Sequence, residues 1–187
     1  NWVGSLQEVN SASGYWAVLD SARTLEVQGL PTAPVLYGLH EGNNLISYDH
    51  AIGQDIEEAF PSDSIDDINA VYGEGVMALY IDGGFSGALT TIDPGHGYWL
   101  VANTPFTFEY NNPGDGSSLA MADKAPKKTN FDDILESSIN QYFYFIEEAT
   151  IMGEELSPND VIVAECNNVV VGARRYQTGM VDLAIRG

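Results

Sequence analysis

A chain of 187 residues falls in the range of one or two domains. Its 44% hydrophobic and 11% aromatic content can bury a real core, which excludes a disordered tail. It carries 27 acidic residues against 7 basic ones, a formal net charge of -20, and such a surface repels phosphate backbones and anionic lipid. Nucleic acid and membrane insertion are therefore poor expectations, and the charge favours solubility or the collection of divalent cations. The single Cys166 excludes an intrachain disulfide and a zinc site of Cys type. No apolar run approaches the ~18 residues of a membrane span, and no signal-peptide pattern is present, so the leader of an exported protein would lie outside this sequence.

In chain order, residues 1–28 read as strands and tight turns, with strands expected at residues 2–3, 15–19 and 24–27. After a connector with two prolines, a strand begins at residues 35–37, and Glu41-Gly42-Asn43-Asn44 turns the chain into another at residues 45–48. The period then changes. Residues 54–60 predict a short helix ending before Pro61, and residues 64–72 predict a second, with Ile65, Ile68, Val71 and Tyr72 on one face, Asp63 as N-cap and Gly73 as its stop. Strands resume at residues 76–81, 87–91, 98–102 and 106–110, separated by turn residues, and are expected to form a meander.

Residues 111–130 break the pattern and read as an interdomain linker containing three lysines. A short helix is expected over residues 131–141. Strands of a second module follow at residues 142–146 and 149–152, with a turn at Gly153-Glu154. Further strands are expected at residues 160–164, 169–173 and 180–185, with a hairpin through Asn167-Asn168. The expected fold is thus mainly β: antiparallel β-sandwich-like modules with one or two short helices. The first module spans residues 1–113, residues 114–130 link, and a second, incomplete module occupies residues 131–187.

The first module contains an internal repeat. A constant shift of 83 positions lays residues 2–28 on residues 85–111, with identities at Gly4/Gly87, Leu6/Leu89, Gly14/Gly97, Tyr15/Tyr98, Trp16/Trp99, Val18/Val101, Thr24/Thr107 and Glu26/Glu109. Ungapped self-similarity of this kind marks a repeated structural unit, here a partial copy in residues 1–30 and a fuller one in residues 34–113. The hairpin signal ahead of the second copy has no counterpart ahead of the first. Either the chain is a fragment cut inside a module, or a partner supplies the missing part.

The segments Gly42-Asn43-Asn44-Leu45-Ile46-Ser47-Tyr48, Gly73-Glu74-Gly75, Gly87-Ala88-Leu89 and Gly97-Tyr98-Trp99-Leu100 resemble a β-rich module repeated in large secreted or surface-anchored proteins of marine and anaerobic bacteria. Tyr142-Phe143-Tyr144-Phe145, the run 160–164 and Val171-Gly172-Ala173-Arg174 are similar to a second module of the same proteins. The resemblance implies an extracellular, noncatalytic module and carries over no catalytic residue.

Chemistry-bearing patterns are sparse. Gly83-Gly84-Phe85-Ser86-Gly87 is not a Gly-x-Ser-x-Gly elbow, Cys166 lies far in sequence from His40, His50 and His96, and the histidines lack metal spacing. Calcium is the cofactor expectation, with ligands from Asn111, Asn112 and Asp115 and a second acidic cluster at Asp63, Asp66 and Asp67, although neither matches an EF-hand. Trp2, Trp16, Tyr98 and Trp99 are the candidate ligand-binding residues, because flat apolar rings stack on sugars. Adjacent Tyr98 and Trp99 point to opposite faces of a strand, so one is expected in the core and one exposed. Two functions follow: a structural or adhesive surface module that assembles with copies of itself or neighbouring modules by strand completion, or a carbohydrate-binding accessory module for polysaccharide.

Overall fold

Runs rich in Val, Ile, Tyr and Phe, cut by glycine and asparagine turns, give a mainly β chain of antiparallel sheets. The computed structural model describes residues 6–26, 33–114, 131, 135 and 140–187. The first half of the leading module contains β1 (Tyr37–Leu39), β2 (Gly42–Ser47), β3 (Gln54–Asp55), α1 (Ile56–Ala59), β4 (Ile68–Tyr72) and β5 (Met77–Ile81). Its second half contains β6 (Gly84–Gly87), β7 (Thr91–Ile92), β8 (Gly97–Ala102) and β9 (Phe106–Phe108).

These strands do not form the expected meander. Five of them make one sheet in the order β2-β8-β4-β5-β6, flanked by the pairs β1-β9 and β3-β7. Each strand of the second half is thus hydrogen-bonded to the first half: β6 to β5, β7 to β3, β8 to β2 and β4, and β9 to β1. The β5–β6 turn places Asp82 (φ 53°) and Gly83 (φ 84°) in the left-handed region, the geometry that matches the twist of a two-residue hairpin.

Helix α1 is shorter than the expected 54–60, because Gln54–Asp55 form β3 and the helix starts only at Ile56. Asp55 caps it, accepting a hydrogen bond from the Glu57 amide at 3.1 Å, and it ends at Phe60, which is extended because Pro61 follows. The second expected helix is absent. Residues Ile65–Asp67 form one 3₁₀ turn behind Ser64 rather than Asp63, and the chain then runs straight into β4. The apparent helical spacing of Ile68 and Val71 comes from a bulge: their register partners are Ala102 and Leu100, while Asn69 is skipped. The extra residue puts two core positions three apart, and both side chains join the core.

Tyr37, Tyr48, Phe60, Phe108 and Tyr110 pack ring against ring at the centre, with Tyr37 stacked on Phe108 at 5.1 Å and Tyr110 edge-on to Tyr48 at 5.0 Å. Burial and the surrounding phenols and Asp49 push the Tyr110 hydroxyl well above its ordinary value. That hydroxyl is buried without a hydrogen-bond partner among the described residues.

The first sequence copy departs most from expectation. Among its described residues, 6–26, there is no strand. Among the described residues the segment makes one β-bridge to the sheet, Ser13 to Ile46, with the Gly14 amide donating to the Leu45 carbonyl at 3.1 Å; the Ser47 hydroxyl also donates to the Ser11 carbonyl, and Ala12 packs against the core. The strand expected at residues 2–3 and the last residue of the one at 24–27 lie outside the described residues.

The stretch expected to form a second module contains β10 (Gln141–Ile146), β11 (Thr150–Ile151), β12 (Glu154–Glu155), β13 (Val161–Cys166), β14 (Val169–Arg175) and β15 (Val181–Arg186). The pairs are β10-β15, β11-β12 and β13-β14. The expected Asn167-Asn168 hairpin is present, both residues having positive φ, and Cys166 is exposed beside it. Most of the helix expected at 131–141, and residues 115–130 of the linker, lie outside the described residues.

Two substitutions separate backbone constraint from packing. Gly87 has φ 142°, and a Cβ there would run into the Met77 carbonyl oxygen, so Gly87→Ala lowers unfolding free energy by about 1–3 kcal/mol in denaturant titration. Tyr110→Phe removes only an unpartnered hydroxyl and changes stability by less than about 1 kcal/mol in the same assay.

Candidate functional site

Period-two alternation along β8 decides which aromatic residues face outward. Tyr98, Leu100 and Ala102 enter the core, while Gly97, Trp99 and Val101 turn to the other face. Register aligns Leu45, Trp99 and Tyr72 in one row across β2, β8 and β4. Tyr72 meets Phe143 of β10 edge-on at 5.4 Å, so the row continues onto the second module. A groove of about 510 Å³ is lined by these two rings with Trp99, Trp16, Asn43, Gly73 and Gln141. Beside it a wider depression of about 640 Å³ carries Glu74, Asp93 and His96 on its walls.

The candidate ligand-binding residues therefore separate. Trp99 is 41% exposed and Trp16 46% exposed, and both line the groove. Tyr98 is buried; its hydroxyl accepts a hydrogen bond from the Asp93 amide at 2.8 Å, and burial pushes its phenol up to about 12. Its role is to anchor the turn before β8, and it offers no stacking face. Trp2 lies outside the described residues.

Of the candidate calcium ligands, Asn111 is engaged by its neighbours. The Asn111 side-chain amide donates to the carbonyls of Glu58 and Phe60, its backbone amide donates to Ala59, and its carbonyl accepts from Gln54. Asn111 thereby closes the C-terminal end of α1, which has no cap of its own. Asn112 is exposed and Asp115 lies outside the described residues. In the second acidic cluster, Asp66 accepts from the Tyr80 hydroxyl and Asp67 from Thr104. Among the described residues no three His, Cys, Asp or Glu side chains are brought together as a metal nest.

A buried carboxylate ties the C-terminal strands to the five-stranded sheet. Asp182 of β15 is 1% exposed; one carboxylate oxygen accepts from the Ala88 amide at 2.8 Å and the other from the Met77 amide at 3.2 Å. Arg174 of β14 approaches Asp182 at 3.3 Å, donates from Nε to the Asp182 carbonyl at 2.8 Å, and reaches across to the Gly75 carbonyl at 2.6 Å. The Gly75 amide donates to the Gln141 side chain at 3.1 Å. Gly75 has positive φ (68°), and a Cβ there would sit 2.6 Å from the Arg186 guanidinium. In the sequence, Glu74-Gly75 and Arg174 stand out only within the resemblance, and Asp182 belongs to no motif. The available signal was one carboxylate inside the apolar run 180–185.

Removing one member of this pair strands the other in a dry junction. Asp182→Ala is expected to cost about 3–5 kcal/mol, read by thermal or chemical unfolding. Burial raises the Asp182 carboxyl above its ordinary value of 3.8, with Arg174 and the two amides pulling the other way. The folded chain therefore holds this proton more tightly than the unfolded chain. The stabilising contribution is complete below 3.8 and is lost as pH rises through the raised folded value. Denaturation of the parent chain and of Asp182→Asn across that window measures it: the parent loses stability relative to the variant as pH rises.

A scan against protein-family models finds no match, and searches of curated proteins and of solved structures find none either.

Proposed function

We propose that the chain is a noncatalytic structural and adhesive module of a secreted or surface-anchored bacterial protein, set among neighbouring modules of its own kind. The observation that carries this reading is the junction at Asp182. A carboxylate shared by two backbone amides of one module and an arginine of the other admits a single docking geometry, as a spacer that transmits position requires. The resemblance to repeated surface modules and the acidic surface support the same reading. Antibodies raised against the purified chain should label intact source cells. Labelling that appears only after permeabilisation would overturn the surface assignment.

A second reading, polysaccharide binding, is favoured by the groove between Trp99, Tyr72 and Phe143, whose rings flank the amides of Asn43 and Gln141. Aromatic faces with amides beside them suit neutral sugar rings, and the net charge of -20 disfavours anionic ones. In affinity electrophoresis through neutral polysaccharides, the parent chain should be retarded, and Trp99→Ala should weaken retention about tenfold with the circular dichroism spectrum unchanged. Equal retention of the two proteins would end this reading.

A further inference from the structure

Residues 6–26 repeat residues 89–109, yet the two copies differ in what covers their apolar face. In the later copy Leu89, Ile92, Tyr98, Ala102 and Phe108 are 0–6% exposed. Their equivalents Leu6, Val9, Tyr15, Leu19 and Leu25 are 39–86% exposed. One pair breaks the contrast: Trp99 and Trp16 are 41% and 46% exposed, because this position faces outward in the completed module as well. The five exposed positions therefore correspond to core positions of the fold, and the one shared position to its outer face.

The pairing scheme explains why the same sequence is stranded in one place and not in the other. Every ladder made by β6, β7, β8 and β9 runs to β1–β5, and none runs within the second half. A second half without its first half has apolar alternation and turns but no strand to bond to. Residues 6–26 fit that description: among the described residues they form no ladder, only one β-bridge, Ser13 to Ile46, and a few hydrogen bonds to β2 beside it.

We infer that residues 6–26 are the second half of a further copy of the β module, and that their apolar face is covered by a first-half segment with the strand pattern of residues 35–81. A second copy of this chain has no such segment to lend, because its own β1–β5 are already paired. On completion Tyr15 enters a core, Trp16 stays on the outside, and each module shows one outward tryptophan. The inference is independent of the surface reading, which the cell-labelling experiment tests separately.

The test joins a duplicate of residues 33–84 directly ahead of Trp2 of the full chain, in place of Asn1. Hydrogen exchange followed by mass spectrometry should show amides of residues 14–19 and 23–25 exchanging at least about 100-fold more slowly than in the parent chain, approaching the protection of residues 97–108 in the same molecule. Unchanged rapid exchange in residues 14–25, with residues 97–108 protected, would overturn the inference. If the fused chain precipitates, a chimaera decides, in which residues 85–110 of the parent are replaced by the sequence of residues 2–27. A cooperative unfolding transition with β circular dichroism supports the inference, and a chimaera lacking both overturns it. A concentration-dependent dimer of the parent chain with residues 14–25 protected would assign the cover to a second copy, and would also overturn it.

Discussion

The leading module rests on hydrogen bonds between two halves of sequence that cannot satisfy themselves. β8 lies between β2 and β4, and without it the five-stranded sheet divides into separate pieces. The core follows from this arrangement. Tyr37 of β1 can stack on Phe108 of β9 only because those two strands pair, and Tyr98 and Leu100 reach the core only because β8 is held on both sides. A two-stranded ribbon is marginal in water, whereas a five-stranded sheet with one apolar face is stable on its own. Completeness of pairing, more than intrinsic propensity, decides whether Gly-Tyr-Trp becomes a strand.

The junction with the second module is polar, although apolar contacts surround it. Val181, Leu183 and Ala184 are buried on β15, and Tyr72 meets Phe143 nearby, but these contacts alone would tolerate sliding. Asp182 removes that freedom because its two oxygens must find the amides of Met77 and Ala88 together. Gly75 is needed at the same spot for two reasons: its backbone is left-handed, and the Arg186 side chain occupies the space where a Cβ would stand. Two of the chain's seven basic residues, Arg174 and Arg186, converge on this short stretch in a protein otherwise dominated by negative charge.

Much of the local structure was legible in the sequence. Asp82-Gly83 and Asn167-Asn168 specify their hairpins through left-handed backbone geometry, and Pro61 ends α1 through the restriction that proline places on its neighbour, whereas the start of α1 at Asp55 was not read. What could not be read was non-local. The bulge at Asn69 gives a strand the spacing of a helix, and only the register with β8 reveals it. Sequence alternation puts Tyr98 and Trp99 on opposite faces, but finding that Trp99 is the outward one, and placing Tyr72 and Phe143 around the groove, requires the sheet order and the docking of β10. Asn111 reads as an oxygen-rich loop residue until α1 is placed against it. Asp182 reads as a strand residue until the other module supplies its amides. The repeat was visible from the start, but its consequence needed the pairing scheme, since identical residues take different structures when their partners differ.

The same pairing scheme governs how this chain can be made. On a ribosome, β1 to β5 emerge first, and of them only the β4–β5 hairpin can close at once. β2 must wait for β8, whose Gly97 pairs with Ser47 and Ala102 with Gly42, and β1 must wait longer still for β9, whose Phe108 pairs with Tyr37. Long-range pairing of this kind is slow and leaves open edges while synthesis continues. The acidic surface then acquires a second role, because like charges on nascent chains keep unpaired edges of neighbouring molecules apart until the second half arrives.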